Sequence, residues 1–566
     1  MSFSSYTFVF LFLPLTVAGY WSLLRLKNHA AAAGWLLLSS IIFYASGSLK
    51  SLLVILPSIL LDFAIAKLFL SLAPIRVRER AAVIGIGIAA NVLFLAFFKY
   101  GEFLSDPISS ALGHSRILAA SFLPLGISFL TFQKIAFLCD IFAGRIQEVE
   151  FGQFLLFTLF FPRTVAGPIV HYREVMPQFK DVKSEDTAWN ISVGFCLFSI
   201  GLFKKCVIAD SVAPYVSGAF DSGAGSDPVS LLGAWIGVLA YTLQLYFDFS
   251  GYSDMALGTA RMLGIKLPMN FNSPLKASSI VEFWGRWHIT LTRFLTWYIY
   301  IPLVRHRTRA RVARGALLLR GQKSTAGAVV SLIGIPTGIT MLISGVWHGV
   351  GWQFVIWGLL HGMYLTINQA WRLWRPRFWS NQRSYERVMK PVGVALTLGS
   401  ILLGMVFFRA SSVSDASSIV AGMVGLHGIV PLRFQIVFQL GHSFDWLVVS
   451  EPWAPFEWII PLFAVVLFCP NSLELMRRFE PALDFPVATP PASEEPEAAG
   501  VQSAEVMANA SVRRVLPSFV RVWALAENFV RVGLTFNRFT AAMIGALFTL
   551  GAMAIEHSTS FLYGAF

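Results

Sequence analysis

Long apolar runs recur along the whole chain, and they constrain its fold more than any other feature. A helix needs roughly 20 apolar residues to cross about 30 Å of hydrocarbon, and runs of that length follow one another from Phe8 to Ile555. Of the 566 residues, 56% are hydrophobic and only 13% are charged, with a mean hydropathy of +0.65. These properties predict an all-α polytopic membrane protein with about eleven spans and little soluble mass.

The positive charge follows the loops between these runs. A net charge of +13 could indicate nucleic-acid binding, but Lys and Arg cluster in short loops, as the positive-inside rule predicts for a protein in a lipid bilayer. We therefore expect no nucleic-acid partner. The first run, Phe8 to Leu24, has no Lys or Arg before it and is followed by Arg25 and Lys27, so we expect a first span with its N terminus outside rather than a cleaved signal.

The four cysteines lie in or beside apolar segments without the spacing of metal ligands: Cys139, Cys196, Cys206 and Cys469. This pattern predicts small buried hydrophobic side chains rather than a disulfide framework or a zinc site. We expect no metal.

Two apolar segments contain groups that are costly at membrane depth. In Leu123–Arg145, Lys134 and Asp140 must either pair with each other or face a polar cavity. Segment 160–179 contains three prolines and several charges, which prevent a continuous helix. It is expected to line or cap a cavity, with a plain surface loop as the alternative.

A third segment, 246–294, is crowded with polar residues between hydrophobic flanks, and we interpret it as short helices folded inward from the membrane surface. Its charged side chains are expected to form a cavity wall and to pair with one another. They are Asp248, Asp254, Glu282, Arg286 and Arg293.

The stretch Ile339–Gly362 lies between two basic segments. Arg305–Lys323 carries seven Lys or Arg and Arg372–Lys390 carries six, so both are predicted to be cytoplasmic. The stretch must then leave and return on the same side, with His348 near the turn, at the far face or partway through the membrane. A histidine in an apolar run is either a buried hydrogen-bonding group or a proton-transfer centre. His361 is expected to be a packing residue.

The C-terminal part differs in composition. Residues 481–512 are rich in Ala, Pro and Glu and are predicted to form a disordered cytoplasmic loop. No Lys or Arg follows Arg538, so the last span should end outside. From its residues alone, the aromatic tail that follows is expected to be an interface anchor. We divide the chain into a membrane core at 1–470, a partly disordered cytoplasmic linker at 471–535, and a final helix with its extracytoplasmic tail at 536–566.

Five motifs then occur in a recognisable order within residues 1–470: Pro124–Gln133 (PLGISFLTFQ), Phe161–Tyr172 (FPRTVAGPIVHY), Tyr246–Gly258 (YFDFSGYSDMALG), Asn270–Phe294 (with FWGRWH) and Ser344–Gly349 (SGVWHG). With these motifs the chain resembles the membrane-bound O-acyltransferases, in the bacterial branch that acylates polysaccharides such as alginate. Gly285 departs from relatives that often carry a basic residue there, which puts in doubt a charge role at that position.

The resemblance implies a ring of transmembrane helices, with short re-entrant or interfacial helices, around a thinned catalytic centre in the bacterial inner membrane. His348 matches the catalytic histidine and His288 the second important one. The acyl donor would be cytoplasmic acetyl-CoA, with no permanently bound cofactor. The final acceptor would be an exported polysaccharide, for example alginate or cellulose.

The tail motif FLYGAF also resembles a motif of polymer-acylating systems. On that resemblance Tyr563 would accept the acetyl group and pass it to an extracytoplasmic serine-type (SGNH) acetyltransferase. Two other functions stay open: D-alanyl transfer to teichoic acid from a carrier-protein thioester, and a non-enzymatic transporter or flippase. The sequence lacks the pair of matched interrupted helices typical of inverted-repeat transporters.

Overall fold

The computed structural model describes residues 1–112, 122–221, 228–429, 454–483, 537–559 and 561–562. Helices make up most of these ranges, which contain no β-strand beyond a single bridge. The helices of nine or more residues are α1 Leu13–Arg25, α2 His29–Ser71, α3 Val77–Leu112, α4 Ile127–Phe142, α5 Phe151–Leu159, α6 Thr187–Phe203, α7 Asp210–Phe220, α8 Leu231–Met262, α9 Ile301–Ala313, α10 Ile335–His348, α11 Trp352–Trp374, α12 Gln382–Arg409, α13 Val413–Met423, α14 Ala454–Phe468 and α15 Arg538–Met553.

Within these ranges, eight helical segments are long and apolar enough to cross a membrane, which confirms the all-α polytopic class. They are Thr7–Arg25, His29–Ser71, Val77–Gly101, Ser184–Phe220, Leu231–Met262, Ala326–His348, Gln382–Arg409 and Arg538–His557. The sequence predicts about eleven spans. The difference arises because α4 has only 16 residues and α14 only 15, while α2 contains a break at Ser48 that divides its 43 residues into two helical pieces.

The stretch Ile339–Gly362 forms the predicted hairpin. Helix α10 ends at His348 and α11 begins at Trp352, and the two pack along each other. Their backbones approach closely at Gly345 and Gly358: a Cβ added to Gly345 would lie 2.3 Å from the Phe354 carbonyl oxygen. Small residues permit this close helix packing in membranes, and the turn therefore holds His348 firmly.

The prediction of short helices across 246–294 is wrong for its first half. Asp248, Asp254 and Arg261 lie on the continuous helix α8, whose residues are buried from Ala240 onward, so neighbouring helices provide partners for the polar groups. The chain breaks into short helices only after Met262. These are Pro274–Lys276, Ile280–Trp284 and Ile289–Leu295.

Two glycine pairs bring α6 and α8 into backbone contact. A Cβ on Gly194 would lie 2.5 Å from the Gly258 oxygen, and one on Gly201 would lie 2.6 Å from the Gly251 oxygen. Helix α15 also packs on α6, where a Cβ on Gly551 would lie 3.1 Å from the Phe203 nitrogen. The final helix therefore ends beside the buried polar groups that follow Phe203.

Lys134 and Asp140, in segment 123–145, do not form the expected pair with each other. The Lys134 ammonium pairs with Asp62 of α2 at 3.1 Å, and both side chains are buried. Asp140 instead pairs with Arg145 at 2.8 Å and with His171 at 3.3 Å.

Segment 160–172 is not a surface loop. Its residues are buried, and Thr164 donates to the Leu159 and Phe160 carbonyls, while the Ile169 N–H donates to Thr290. Irregular backbone is tolerated at membrane depth when the protein surrounds it in this way.

Candidate active site

His348 is the last residue of α10 and is buried among aromatic rings. Its imidazole meets the rings of Trp357 and Phe408 edge-on, each with 5.1 Å between centroids, and the ring of Trp347 at 4.7 Å. Because α11 and α12 supply two of these rings, the helical hairpin and its neighbour together fix the imidazole. The His348 side chain is only 2% exposed.

Helix α3 caps the end of α10 that carries His348. The Lys99 ammonium donates to the backbone carbonyls of Trp347 and His348, the latter at 3.1 Å, and the Tyr100 hydroxyl donates to that of Val346. The last carbonyls of a helix have no partners within the helix, and a cation there also complements the helix dipole. Lys99 therefore holds the backbone at Trp347 and His348.

His288 precedes the short helix Ile289–Leu295 in the segment between two candidate spans, Leu231–Met262 and Ala326–His348. Its side chain is completely buried, and its backbone has a left-handed conformation with φ of 44°. Such a conformation is strained for a residue with a Cβ, and strained residues of this kind cluster at functional sites.

Asn270 orients the His288 imidazole. The Nδ1 atom lies 3.0 Å from the Asn270 Oδ1 atom, which also accepts from the Thr290 hydroxyl at 2.8 Å. Because Asn270 Oδ1 only accepts, this contact selects the tautomer with its proton on Nδ1 and leaves Nε2 as the basic nitrogen. Burial lowers the pKa of His288 to about 3, so this imidazole is neutral at pH 7.

Trp347 links the two histidines. Its ring lies next to His348 and 6.5 Å from the ring of His288, with Phe129 packed against both Trp347 and His288. The indole Nε1–H is buried and has no hydrogen-bond partner among the described residues. The two predicted site histidines are thus brought together around a buried hydrogen-bond donor.

The charged residues predicted to form one wall mostly pair with other elements. Only Glu282 and Arg286 pair with each other, at 2.7 Å, whereas Arg293 pairs with Glu174. Burial would raise the pKa of Glu282, but hydrogen bonds from Ser278 and the Arg286 charge outweigh it and hold that pKa below its usual value. Asp248 pairs with Lys205 at 2.7 Å, and Asp254 pairs with Lys204 at 2.8 Å.

A small polar cavity of about 10 Å³ lies between α8 and the loop after α14. Its walls include Lys204, Asp254, Asn270 and Ser472. A volume of this size holds about one water molecule. It places water-sized space beside the Asn270 side chain that orients His288.

The third predicted site residue, Tyr563, lies outside the described residues, but Phe561 and Leu562 are described. The Phe561 ring stacks on Tyr252 with 4.4 Å between centroids and lies 5.8 Å from the ring of Phe249. Phe249 in turn meets the His288 ring edge-on at 4.8 Å. Phe561 therefore lies in the aromatic layer around His288.

Sequence reasoning missed three positioning residues: Lys99, Lys205 and Asn270. For Lys99 and Lys205 the available signal was a lysine in an otherwise apolar run. Their partners, the His348 carbonyl and Asp248, lie on helices distant in sequence. His361 packs between Trp357 and Trp284, in agreement with its expected packing role.

The fold and the site together define a multi-pass integral membrane protein with two buried histidines on either side of Trp347. The chain belongs to the MBOAT, membrane-bound O-acyltransferase, family, whose sequence model matches residues 86–319 and 333–413. It is accordingly an acyltransferase. The match includes both histidines and the five motifs between Pro124 and Gly349.

Individual proteins similar to this chain include two O-acetyltransferases and a D-alanyltransferase. The chain is 37% identical to the peptidoglycan O-acetyltransferase of Helicobacter pylori over 454 residues, which cover 75% of this chain and 80% of that protein. It is 34% identical to the "probable alginate O-acetylase" of Pseudomonas aeruginosa over 421 residues, 74% of this chain and 73% of that protein. Identity to the teichoic acid D-alanyltransferase of Bacillus subtilis is 28% over 330 residues, 57% of this chain and 76% of that protein.

Proposed function

We propose that this chain transfers an acetyl group from cytoplasmic acetyl-CoA across the bacterial inner membrane for O-acetylation of an exported polysaccharide. One observation carries the proposal: the described end of the chain packs, through Phe561 and Phe249, against His288 in the centre that also holds His348. Tyr563, the residue after Leu562, is the hydroxyl nucleophile in this proposal.

The first step forms an acetyl ester on Tyr563. A phenol with an ordinary pKa of about 10 is a weak nucleophile at pH 7 and needs a base. Neutral His348 takes the phenol proton as the oxygen attacks the thioester carbonyl. The new C–O bond forms, the C–S bond breaks, and the leaving thiolate takes the proton from the imidazolium. The products are the tyrosyl ester and the free thiol of CoA.

Two further groups assist this step in the proposal. The Trp347 indole N–H donates a hydrogen bond to the oxyanion that develops on the carbonyl, because it is a buried donor between both histidines. His288, held by Asn270, shapes the channel or shares the proton transfer through Nε2.

The second step takes place outside. A serine hydroxyl of an extracytoplasmic SGNH-type acetyltransferase attacks the tyrosyl ester, which releases the phenol, and the partner then acetylates the polymer. Both O-acetyltransferase relatives carry the name of a polymer, peptidoglycan in one case and alginate in the other. Their coverage of three quarters of the chain favours acetyl transfer over D-alanyl transfer, where the alignment covers 57%.

Labelled acetyl-CoA supplied to the purified chain in liposomes tests the proposal. We expect an acetyl group on the C-terminal peptide, located on Tyr563 by mass spectrometry and absent from Tyr563→Phe. Replacing His348 by Ala should slow this labelling about 10²- to 10⁴-fold. His361→Ala is the matched comparison, because it removes a second buried histidine, whose ring contacts Trp284 and Trp357 and which has no proton-transfer role in the proposal.

Other outcomes would contradict the proposal in distinct ways. Labelling at the normal rate in His348→Ala would remove the base from the mechanism. Normal polymer acetylation by Tyr563→Phe in cells would return the tail to an anchoring role. Label that enters sealed vesicles without any acylated chain would indicate a transporter, and labelling only from a D-alanyl carrier-protein thioester would indicate the alternative polymer modification.

A further inference from the structure

A cluster of three charged residues contacts the C-terminal tail. The Lys205 ammonium is 2.7 Å from Asp248 and 2.8 Å from Asp210, and its side chain is 3% exposed. We propose that Lys205, Asp210 and Asp248 form a binding site for the tail residues Thr559 and Leu562, which positions Phe561 in the aromatic layer around His288.

The folding of α6 explains why this cluster exists. Lys205 lies in the π-helical turn Lys204–Ala209 that joins α6 to α7, and π-turns of this kind are frequent at functional sites. The contact between Gly201 and Gly251 brings α6 and α8 together within one turn of both Lys205 and Asp248. The helices are thus built to bury a lysine between two carboxylates, which is costly unless every remaining hydrogen-bonding position is used.

The tail uses several of those positions. The Thr559 hydroxyl donates to Asp210 at 2.6 Å and accepts from Lys205 at 3.1 Å. The Leu562 backbone N–H donates to Asp248 at 3.1 Å. Each carboxylate therefore binds both the ammonium and the tail. Hydrogen bonds to charged groups are stronger than those between neutral groups.

Aromatic contacts continue the binding site toward the centre. Phe561 is half-buried, and its ring stacks on Tyr252 at an interplanar angle of 24°. Thr559, in contrast, is exposed on the surface of the cluster. The tail is therefore bound at three residues, by hydrogen bonds to charged groups at Thr559 and Leu562 and by ring stacking at Phe561.

A neighbouring ion pair provides a built-in comparison. Lys204 pairs with Asp254, which also accepts from the Ser472 hydroxyl. These two side chains resemble Lys205 and Asp248 in burial and chemistry, but the described tail residues bind only the second pair. Tail binding thus depends on particular residues and not on buried charge in general.

The test measures binding of the tail directly. The Cys206 thiol lies within hydrogen-bonding reach of the Ser558 side chain, so Ser558→Cys should form a disulfide with the native Cys206. The variant is prepared in the full chain with Cys139, Cys196 and Cys469 replaced by Ala. Oxidation in liposomes with copper phenanthroline is followed by mass spectrometry of the linked peptides.

We expect rapid disulfide formation, slowed about tenfold by Thr559→Val, which removes two hydrogen bonds to charged groups and leaves the cluster intact. The matched control is Thr549→Val, since the Thr549 hydroxyl donates only to its own helix at Gly545. Lys205→Ala should slow the reaction at least as much, Lys205→Arg should restore part of it, and Lys204→Ala should leave it unchanged. Equal rates in Thr559→Val and Thr549→Val would overturn the proposed site.

The consequence for acyl transfer rests on the proposed function, and the two can fail separately. Thr559→Val should also lower Tyr563 labelling from acetyl-CoA about tenfold, because the nucleophile is less often in place. Disulfide formation that responds to Thr559→Val, together with a chain never acetylated on Tyr563, would overturn the relay and keep the binding site. Absence of the disulfide in a chain that acetylates Tyr563 would do the reverse.

Discussion

The backbone N–H of Leu562 donates a hydrogen bond to the carboxylate of Asp248, 314 residues earlier in the chain, at 3.1 Å. Asp248 lies on α8, which also carries Phe249 and Tyr252, the two rings that contact Phe561. One helix thus binds the end of the chain and, through Phe249, packs on His288. Changes on this helix and in the centre have the following expected outcomes.

Asn270→Ala should slow acetyl transfer by about 10- to 100-fold, because His288 loses the acceptor that fixes its tautomer and ring orientation. Thr290→Val is the control, since it removes another donor to the same Asn270 oxygen and leaves the imidazole contact in place. The measurement is the initial rate of labelling from acetyl-CoA, with thermal unfolding in detergent as a check on folding. An unchanged rate in Asn270→Ala would show that this contact is only structural.

Trp347→Phe should lower kcat by roughly 10²- to 10³-fold with little change in KM, because it keeps the ring and removes the proposed oxyanion donor. Trp284→Phe serves for comparison: its indole N–H is likewise buried and without a partner among the described residues, but it packs on Trp357 and His361. Steady-state kinetics of CoA release, measured with an acceptor that discharges the tyrosyl ester, give both constants. Equal effects of the two substitutions would argue against the oxyanion role.

Lys134→Met should destabilise the fold by roughly 3–5 kcal/mol, since the buried Asp62 carboxylate loses its counter-charge. The double replacement Lys134→Met with Asp62→Leu should recover most of this loss, because neither charge then remains buried. Unfolding in detergent micelles measures both. A double variant no more stable than the single one would indicate that the pair organises more than its own charges.

Gly251→Ala should lower the free energy of unfolding by about 1–3 kcal/mol and slow disulfide formation between the Ser558→Cys tail and Cys206. The added Cβ would lie 2.8 Å from the Gly201 backbone oxygen and 3.1 Å from the Lys205 backbone nitrogen. Gly545→Ala is the control on α15, where an added Cβ would meet nothing within 4 Å. Its stability should be unchanged or slightly raised. Normal disulfide formation in Gly251→Ala would show that helix spacing does not determine the position of Lys205.

Much of the architecture is predictable from local pattern. Apolar runs of spanning length predict the helices, and the basic segments on either side of Ile339–Gly362 predict the hairpin that places His348 at its turn. The motifs also point to His288. The prediction of short helices around Asp248 fails because prolines occur only after Met262, so α8 remains continuous through its polar residues.

The sequence by itself therefore determined the class of protein, the hairpin and the two histidines, since hydropathy, charge asymmetry and motifs are properties of neighbouring residues. Only the tertiary structure decided the pairings: Lys134 with Asp62, Asn270 with His288, and Lys205 with Asp248 and the tail. Each joins residues from different elements, and the choice of partner depends on how closely those elements pack. Glycine contacts such as that between Gly201 and Gly251 control this spacing, and no local pattern encodes which helices they bring together.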